Sequence, residues 1–404
     1  MAEQDLVVVG GGISGMSLAQ ACAKAGRTVR VFEREARAGG CIQSHRIDGG
    51  FWFELGAHTC YNSYRSLLAI LEERGALGEL LPREKAPFRL MVGGEIRKIA
   101  KELGVLELLF SAPRLLTTKK QGQSVREYYG RLVGARNYQR VFGPLFAAVP
   151  SQPADDFPAE MLFKSRTRRK DVPRSFTLRG GLSTAVEAMA KAPGVAVETG
   201  AEVTALLRGG DGFLVRTGAA EHRARHVALA VPPPVGARLL REAFPEAAAA
   251  LEKIKSATVE TVGVAVRKEA LSLERVAGII PLDGRFFSAV SRDTVTDPSW
   301  RGFAFHFKPG GGRDERLGVI AETLKVERGR LEHVVERRVV LPSPVVGHAD
   351  VVAELDRRLE GTGLFLTGNY FDGLSIEDCV NRSAREAARL LGATGAAAPP
   401  LARC

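Results

Sequence analysis

Residues 6–40 read LVVVGGGISGMSLAQACAKAGRTVRVFEREARAGG, and the reading of this stretch decides the fold. Leu6–Val9 is a short apolar run of strand formers, the pattern of a parallel strand buried on both faces. It breaks into Gly10-Gly11-Gly12-Ile13-Ser14-Gly15, which is G-x-G-x-x-G, and an apolar helical stretch follows from Met16 to Ala25. Gly26 ends that helix, and Thr28 to Phe32 predicts a second parallel strand. Gly10 turns the chain, Gly12 lets backbone approach a pyrophosphate, and Gly15 permits close packing of helix on strand. The helix N-terminus presents unpaired N–H groups to the phosphates. Glu33 closes the second strand eighteen residues after Gly15, where a carboxylate accepts hydrogen bonds from a ribose. A lone G-x-G-x-x-G is weak. Strand, glycines, helix, second strand and acid in this order within one unit supply the confirming context for dinucleotide binding.

Working outward, 404 residues exceed one ordinary core, so two domains or an interleaved pair are expected. Hydrophobic residues at 45% and charged residues at 25% are ordinary for a globular protein. Residues 1–10 are too short and too acidic for a signal peptide, and the chain carries no run of about eighteen apolar residues that would span a membrane. Five scattered cysteines (Cys22, Cys41, Cys60, Cys379, Cys404) lack metal-ligand spacing and fit a reducing compartment, so a cytoplasmic location and no metal are expected. The net charge of +11 is compatible with nucleic acid, anionic lipid, an acidic ligand or a merely solvated basic surface. Nucleic acid is not expected, because no recognition motif or basic stripe interleaved with aromatics accompanies the charge.

Arg37-Ala38-Gly39-Gly40 follows directly on the ribose acid and resembles the R-x-G-G motif of the flavin amine oxidase superfamily. CIQSHRIDGGFWFELGAHT (41–59) predicts two strands around a Gly49-Gly50 turn. With the preceding glycines it resembles the protoporphyrinogen and coproporphyrinogen oxidase family, where GG-x-I-x-S leads into FE-x-G. GLFLTGNYFDGLSIEDCVNRSAREAAR (363–389) resembles that family's closing segment: a strand ending at Gly368, a turn with Gly373, and a helix from Ser375 or Ile376.

This resemblance implies an α/β fold, with a Rossmann-type FAD-binding domain interleaved with an α+β substrate domain and a helical middle segment. The expected FAD-binding parts are 1–80, 175–235 and 342–404, with a helical, membrane-facing segment at 81–174 and the substrate domain at 236–341. It implies non-covalent FAD held by Gly10, Gly11, Gly12, Ile13, Ser14, Gly15, Glu33, Arg34, Gly39, Gly40 and Cys41. Gly56, Ala57, His58 and Thr59 would pass beneath the flavin, Val203 would lie against its adenosine half, and Gly368, Gly373, Leu374, Ser375 and Ile376 would meet its pyrimidine end. His58 is equally compatible with an ordinary loop histidine.

The implied activity is dehydrogenation of a porphyrinogen, protoporphyrinogen IX or coproporphyrinogen III, in haem biosynthesis, with oxygen reoxidising the flavin. The cofactor carries the chemistry, and no catalytic side chain is singled out. Substrate contacts fall on Arg89, on Ala148, where the family usually has glycine, and on Arg168 within the basic run 166–170. Arg89 sits one residue closer to Gly93 than the family pattern, and a slip of one residue in a strand reverses the face. Arg337 stands where the family often has a tryptophan near the flavin. Residues 101–120, KELGVLELLFSAPRLLTTKK, carry a leucine- and phenylalanine-rich face bracketed by lysines, compatible with a packed helix or with one lying on a membrane surface. Phe286, Phe287, Phe303, Phe305 and Phe307 line a pocket or face a core, and the tail beyond Gly392 is expected to fray. The alternatives are a flavin oxidase or desaturase of another apolar substrate, an amine or a polyprenoid, and a non-catalytic carrier on the same fold.

Overall fold

The structure is a computed structural model and describes residues 4–218 and 220–392; Cys404 and the tail beyond Gly392 lie outside the described residues. Two seven-stranded sheets organise the chain. In the first, parallel strands Val195–Thr199, Val29–Glu33, Gln4–Val9 and Ala220–Leu229 lie side by side. The antiparallel strands Gly212–Thr217 and Val203–Gly209 extend this sheet, and Leu364–Leu366 pairs with Ala220–Leu229. Val7 and Val8 are both fully buried, and they belong to different hydrophobic cores because successive side chains in a strand point to opposite faces. Helices Ile13–Lys24 and Ile376–Leu390 pack together on the Val8 side.

The second sheet runs Glu332–Pro342, Ser256–Arg267, Trp300–Phe307, Ser288–Ser291, Gly278–Pro281, Phe88–Val92 and Glu95–Lys98. Its Phe303, Phe305 and Phe307 face a core closed by helix Arg313–Leu324. The opposite face receives the hairpin Ser44–Arg46/Trp52–Glu54, and glycine is required where the two meet. A Cβ on Gly263 would lie 2.3 Å from a Leu55 methyl, and one on Gly302 2.7 Å from the Phe53 Cβ.

One local expectation is corrected. Residues 101–120 do not form one long helix: Val105–Ser111 is α-helical, and Ala112–Leu116, which contains Pro113, is a 3-10 turn. Residues 135–148 run on as one helix whose middle, Tyr138–Phe142, is a π turn directly before Gly143-Pro144, and this wider turn accommodates the N–H that Pro144 lacks.

Candidate active site

The glycine loop is built by close approaches that a side chain would block. A Cβ on Gly10, at φ +103°, would lie 2.5 Å from the Ala230 carbonyl oxygen, and one on Gly15 2.0 Å from that of Gly10. Gly12 caps the first helix without a side-chain hydrogen bond, so the N–H groups around Ile13 and Ser14 have no competing cap. Gly12 and Gly39 bridge in parallel, Gly39 donates its N–H to the Gly11 carbonyl at 2.9 Å, and a Cβ on Gly40 would sit 3.0 Å from Gly12 Cα.

The Glu33 carboxylate accepts the Gly11 N–H through Oε2 at 2.8 Å and the Glu35 N–H through Oε1 at 2.9 Å. It therefore pins the loop while each oxygen keeps lone-pair capacity for a ribose hydroxyl. Arg34 pairs with Glu35 at 3.2 Å and is exposed, so it is not part of this cradle. Arg37 reaches back to the Ala38 and Ile42 carbonyls and to Gln43 Oε1, fixing the turn that carries Gly39 and Gly40. This bare-backbone cradle, with a helix N-terminus at one end and a carboxylate at the other, fits FAD.

The rest of the floor closes by the same means. A Cβ on Gly56 would lie 1.9 Å from the Cys41 carbonyl oxygen. Arg337 donates to the carbonyls of Gly40 and Cys41 (3.3 Å to the latter), so the position expected to carry an aromatic ring carries a guanidinium that ties the second sheet to this floor. Gly373 has φ +150°, and a Cβ there would meet Asp378 Oδ2 at 2.7 Å; Ser375 caps the helix beginning at Ile376. Leu374 packs on the cluster around Phe146 and Phe157. A Cβ on Gly368 would meet the Tyr370 ring, and Val203 is buried at the start of its strand.

Antiparallel register places Arg337 opposite Thr261, Thr261 opposite His306, and His306 opposite Ser288, a row on the face opposite Phe305 and Phe307. His306 Nδ1 lies 2.9 Å from Thr261 Oγ1, and its Nε2 lies 3.1 Å from His58 Nε2. Burial lowers the His306 imidazole to about 4. Burial first, then His306 and Arg83, holds His58 well below the usual histidine range. Arg83 donates to the His58 carbonyl and the Thr59 hydroxyl. His58 is thus a half-buried imidazole set against the enclosed ring of His306. His306 was missed in the sequence, although alternation with Phe303, Phe305 and Phe307 already put it on the other face.

A cavity of about 750 Å³ lies between the middle helical segment and Pro281, Phe286, Phe287 and Lys308 of the second sheet and its loops. Phe286, Phe287, Ala147, Tyr138 and Pro144 supply apolar wall, and Arg114, Arg126, Arg131 and Lys308 supply charge. Asp155 takes Arg126 and the Tyr138 hydroxyl (2.6 Å), while Arg131, whose charge acts on Glu127 one helical turn away, and Lys308 make no contact ion pair among the described residues. None of the expected substrate contacts lines this cavity, and carboxylates of the chain hold Arg89 and the neighbours of Arg168. Arg89 is bonded to Glu274 at 2.7 Å, Arg166 to Asp378 at 2.7 Å, and Arg169 to Glu72 and Asp171. Arg168 is exposed, and Ala148 packs beside Leu90 and Ile280 while its neighbour Ala147 faces the cavity.

The family model "Flavin containing amine oxidoreductase" matches residues 13–313, about three quarters of the chain. The chain belongs to this family. It is an FAD-dependent oxidoreductase with the family's interleaved α/β fold. Protoporphyrinogen oxidase 1 of Arabidopsis thaliana chloroplasts is 24% identical, covering 93% of this chain and 86% of that protein. Coproporphyrinogen III oxidase of Mycobacterium bovis is 26% identical, covering 98% and 99%. A crystal structure from Exiguobacterium sp. 255-15, provisionally named a protoporphyrinogen oxidase, superposes with a TM-score of 0.78 at 20% identity over 97% of this chain and 100% of that one.

Replacing Glu33 by alanine removes both its loop bonds and its ribose contact. Charge-assisted bonds of this kind contribute roughly 1.5–3 kcal/mol. Glu33→Ala is expected to weaken FAD binding by about ten- to a hundredfold, measured by flavin fluorescence on titration of the apoprotein. Unchanged affinity would rule out this role.

Proposed function

We propose that this flavoenzyme dehydrogenates a porphyrinogen, protoporphyrinogen IX or coproporphyrinogen III, with oxygen as the final electron acceptor. The observation that carries the reading is the cavity of about 750 Å³, apolar in its walls and ringed by Arg114, Arg126, Arg131 and Lys308. Its size is that of small-molecule sites. A porphyrinogen is a large apolar ring whose strong polar handles are propionates, and this lining complements both parts. The two porphyrinogen-oxidising relatives support the same class. When bound, FAD supplies a two-electron acceptor for a C–H hydrogen. The chain's own residues orient the ring, exclude water and handle the proton.

The test is anaerobic mixing of the purified yellow protein with protoporphyrinogen, coproporphyrinogen, a panel of amines and a polyprenoid. Bleaching of the flavin by a porphyrinogen is expected. Bleaching by an amine or polyprenoid alone would replace the reading.

We also propose that the enzyme sits peripherally on the cytoplasmic face of a membrane. Val105, Leu106, Leu109, Phe110, Leu115 and Leu116 are exposed, Phe110 at 81% and Leu116 at 91%. Lys101, Arg114 and Lys119 border them in solvent, while Lys120 turns inward to Leu162 and the Tyr129 ring. None of the described helices is long and apolar enough to cross a membrane. An apolar face rimmed by cations lies in the interface plane. Co-sedimentation with vesicles should rise with anionic lipid and fall with salt, since each surface cation contributes about 1 kcal/mol and is screened over ~10 Å at 0.1 M. Retention that ignores lipid charge and salt, and persists in Phe110→Ser/Leu116→Ser, would reject this surface.

A further inference from the structure

Two guanidiniums hold the floor of the cofactor cradle, and neither meets a carboxylate. Arg337, from strand Glu332–Pro342, donates to the Gly40 carbonyl and, at 3.3 Å, to that of Cys41. Arg83, from the loop after Leu80–Pro82, donates to the His58 carbonyl and the Thr59 hydroxyl. Both are half-buried, and neither makes a contact ion pair among the described residues. Burial pulls both below the usual arginine range, and carboxylates act on them only from beyond contact, Glu54 on Arg83, Glu35 and Glu33 on Arg337. Glu54, pushed up to about 7 by its own burial, is only partly ionised near neutrality, whereas an arginine stays charged.

The groups they hold are continuous with the glycine loop. Gly39 donates its N–H to the Gly11 carbonyl at 2.9 Å, and a Cβ on Gly40 would lie 3.0 Å from Gly12 Cα. A Cβ on Gly56 would lie 1.9 Å from the Cys41 carbonyl oxygen and 3.7 Å from Arg337 Nη1, and His58 and Thr59 follow directly along the chain. What lies between the two cations is uncharged. Register aligns Arg337 with Thr261 and Thr261 with His306, whose Nε2 meets His58 Nε2 at 3.1 Å. Burial lowers His306 to about 4 and, with His306 and Arg83, holds His58 well below the usual histidine range, so both rings are neutral near pH 7. A cation withdrawn from water without a counter-ion is costly, and the cost is offset where an anion comes to meet it.

We propose that Arg83 and Arg337 form a cationic floor that stabilises the reduced flavin over the oxidised one. The oxidised isoalloxazine is neutral. A hydride brings two electrons and one proton, so the ring gains one negative charge, and the substrate that gave up the C–H electron pair sheds a proton to restore its own balance. Fixed charges placed where negative charge develops need no reorganisation when it appears, and they act most strongly where water is excluded. The permanent charge of oxidised FAD lies on its diphosphate, which the glycine loop and the N-terminus of Ile13–Lys24 already receive. The two guanidiniums are therefore left for the charge that comes and goes with turnover. The inference rests on residues 40–41 and 56–59 running along the flavin and is independent of which substrate reduces it.

The test uses the holoprotein without turnover. Arg337→Met and Arg83→Met should each shift the equilibrium between oxidised and reduced flavin toward the oxidised form on the order of tenfold, read against a reference dye; tenfold is about 30 mV for a two-electron couple. Sulfite, whose addition to the oxidised ring also leaves it negatively charged, should bind each methionine variant more weakly by a similar factor. Arg337→Lys keeps the charge but loses the planar fork that spans two carbonyls, and it should stay near wild type in both readouts. Affinity for oxidised FAD, from fluorescence titration of the apoprotein, should change little. Wild-type potential and sulfite affinity in the methionine variants would overturn the cationic floor. So would a lysine variant that falls with the methionine one, because the tie to the carbonyls and not the charge would then be what counts. Loss of oxidised-FAD affinity that added salt reproduces in the wild type, with the potential unchanged, would assign the cations to the diphosphate and overturn it as well. If Arg83→Met does not fold, Arg337→Met and Arg337→Lys decide the question by themselves.

Discussion

Replacing Glu54 by glutamine is expected to make this protein acid-sensitive. Glu54 and His306 are both enclosed, and burial displaces them in opposite directions, Glu54 up from 4.5 to about 7 and His306 down from 6.5 to about 4. A raised carboxyl binds its proton more tightly when folded. It therefore contributes stability that is full below pH 4.5 and is lost as pH rises to about 7. A depressed imidazole behaves oppositely, contributing stability that is full above pH 6.5 and is lost as pH falls to about 4. Each displacement of about 2.5 units corresponds to ~3 kcal/mol. The windows overlap, so in the wild type the two slopes largely cancel between pH 4.5 and 6.5. Glu54→Gln removes one of them, and its stability relative to wild type should fall by ~3 kcal/mol as pH drops from 7 to 4.5. His306→Gln should show the mirror image, gaining relative stability toward acid, with His58 still sloping the other way. Denaturant unfolding of the three proteins across pH 4–8 measures this. Parallel curves would mean that these two groups do not titrate against burial.

The same pair shows where the sequence was legible. Residues that act through backbone were readable, because G-x-G-x-x-G, the acid after the second strand and the closing glycine turn lie in short contiguous runs whose spacing is the geometry. Gly10, Gly15, Gly56 and Gly373 each meet a neighbour that a Cβ would strike. Residues that act through side chains across the sheet were less readable. The row Arg337–Thr261–His306 depends on the pairing of three strands and on an irregularity of register at Gly263/Ala265, and neither is visible along one strand. The alternation Phe303, Phe305, Phe307 did signal that His306 faces away from the core. In the basic run 166–170, charge density did not tell committed cations from free ones: Arg166 and Arg169 are held by Asp378, Glu72 and Asp171, while Arg168 is exposed. Arg114, Arg131 and Lys308 were not legible as a group, since nearly two hundred residues separate them and only the fold gathers them at one cavity.

Those cavity cations carry the second large prediction, the neutralisation of Arg114, Arg131 and Lys308 together. All three are exposed side chains, so under the proposed function each ion pair with a propionate would form in high dielectric and contribute about 1 kcal/mol or less. Three such contacts sum to a change on the order of 10²-fold, and single variants should each show only a few-fold. A porphyrinogen's propionates are remote from its reacting carbon, so such contacts would be the same in ground and transition states. KM should therefore rise while kcat stays nearly constant. A tetracarboxylate porphyrinogen should lose more than a dicarboxylate one, because it engages more cations at once. Raising salt should mimic the triple variant in the wild type, whose exposed charges are screened. Arg89→Met serves as the contrast: its guanidinium is already bonded to Glu274, and its loss should leave KM for either porphyrinogen unchanged. Steady-state kinetics of Arg114→Met/Arg131→Met/Lys308→Met beside Arg89→Met decide between the two sets. An unchanged KM in the triple variant with flavin binding intact would remove the propionates from this cavity, and a rise in KM for Arg89→Met would return them to the site that the strand pattern alone had indicated.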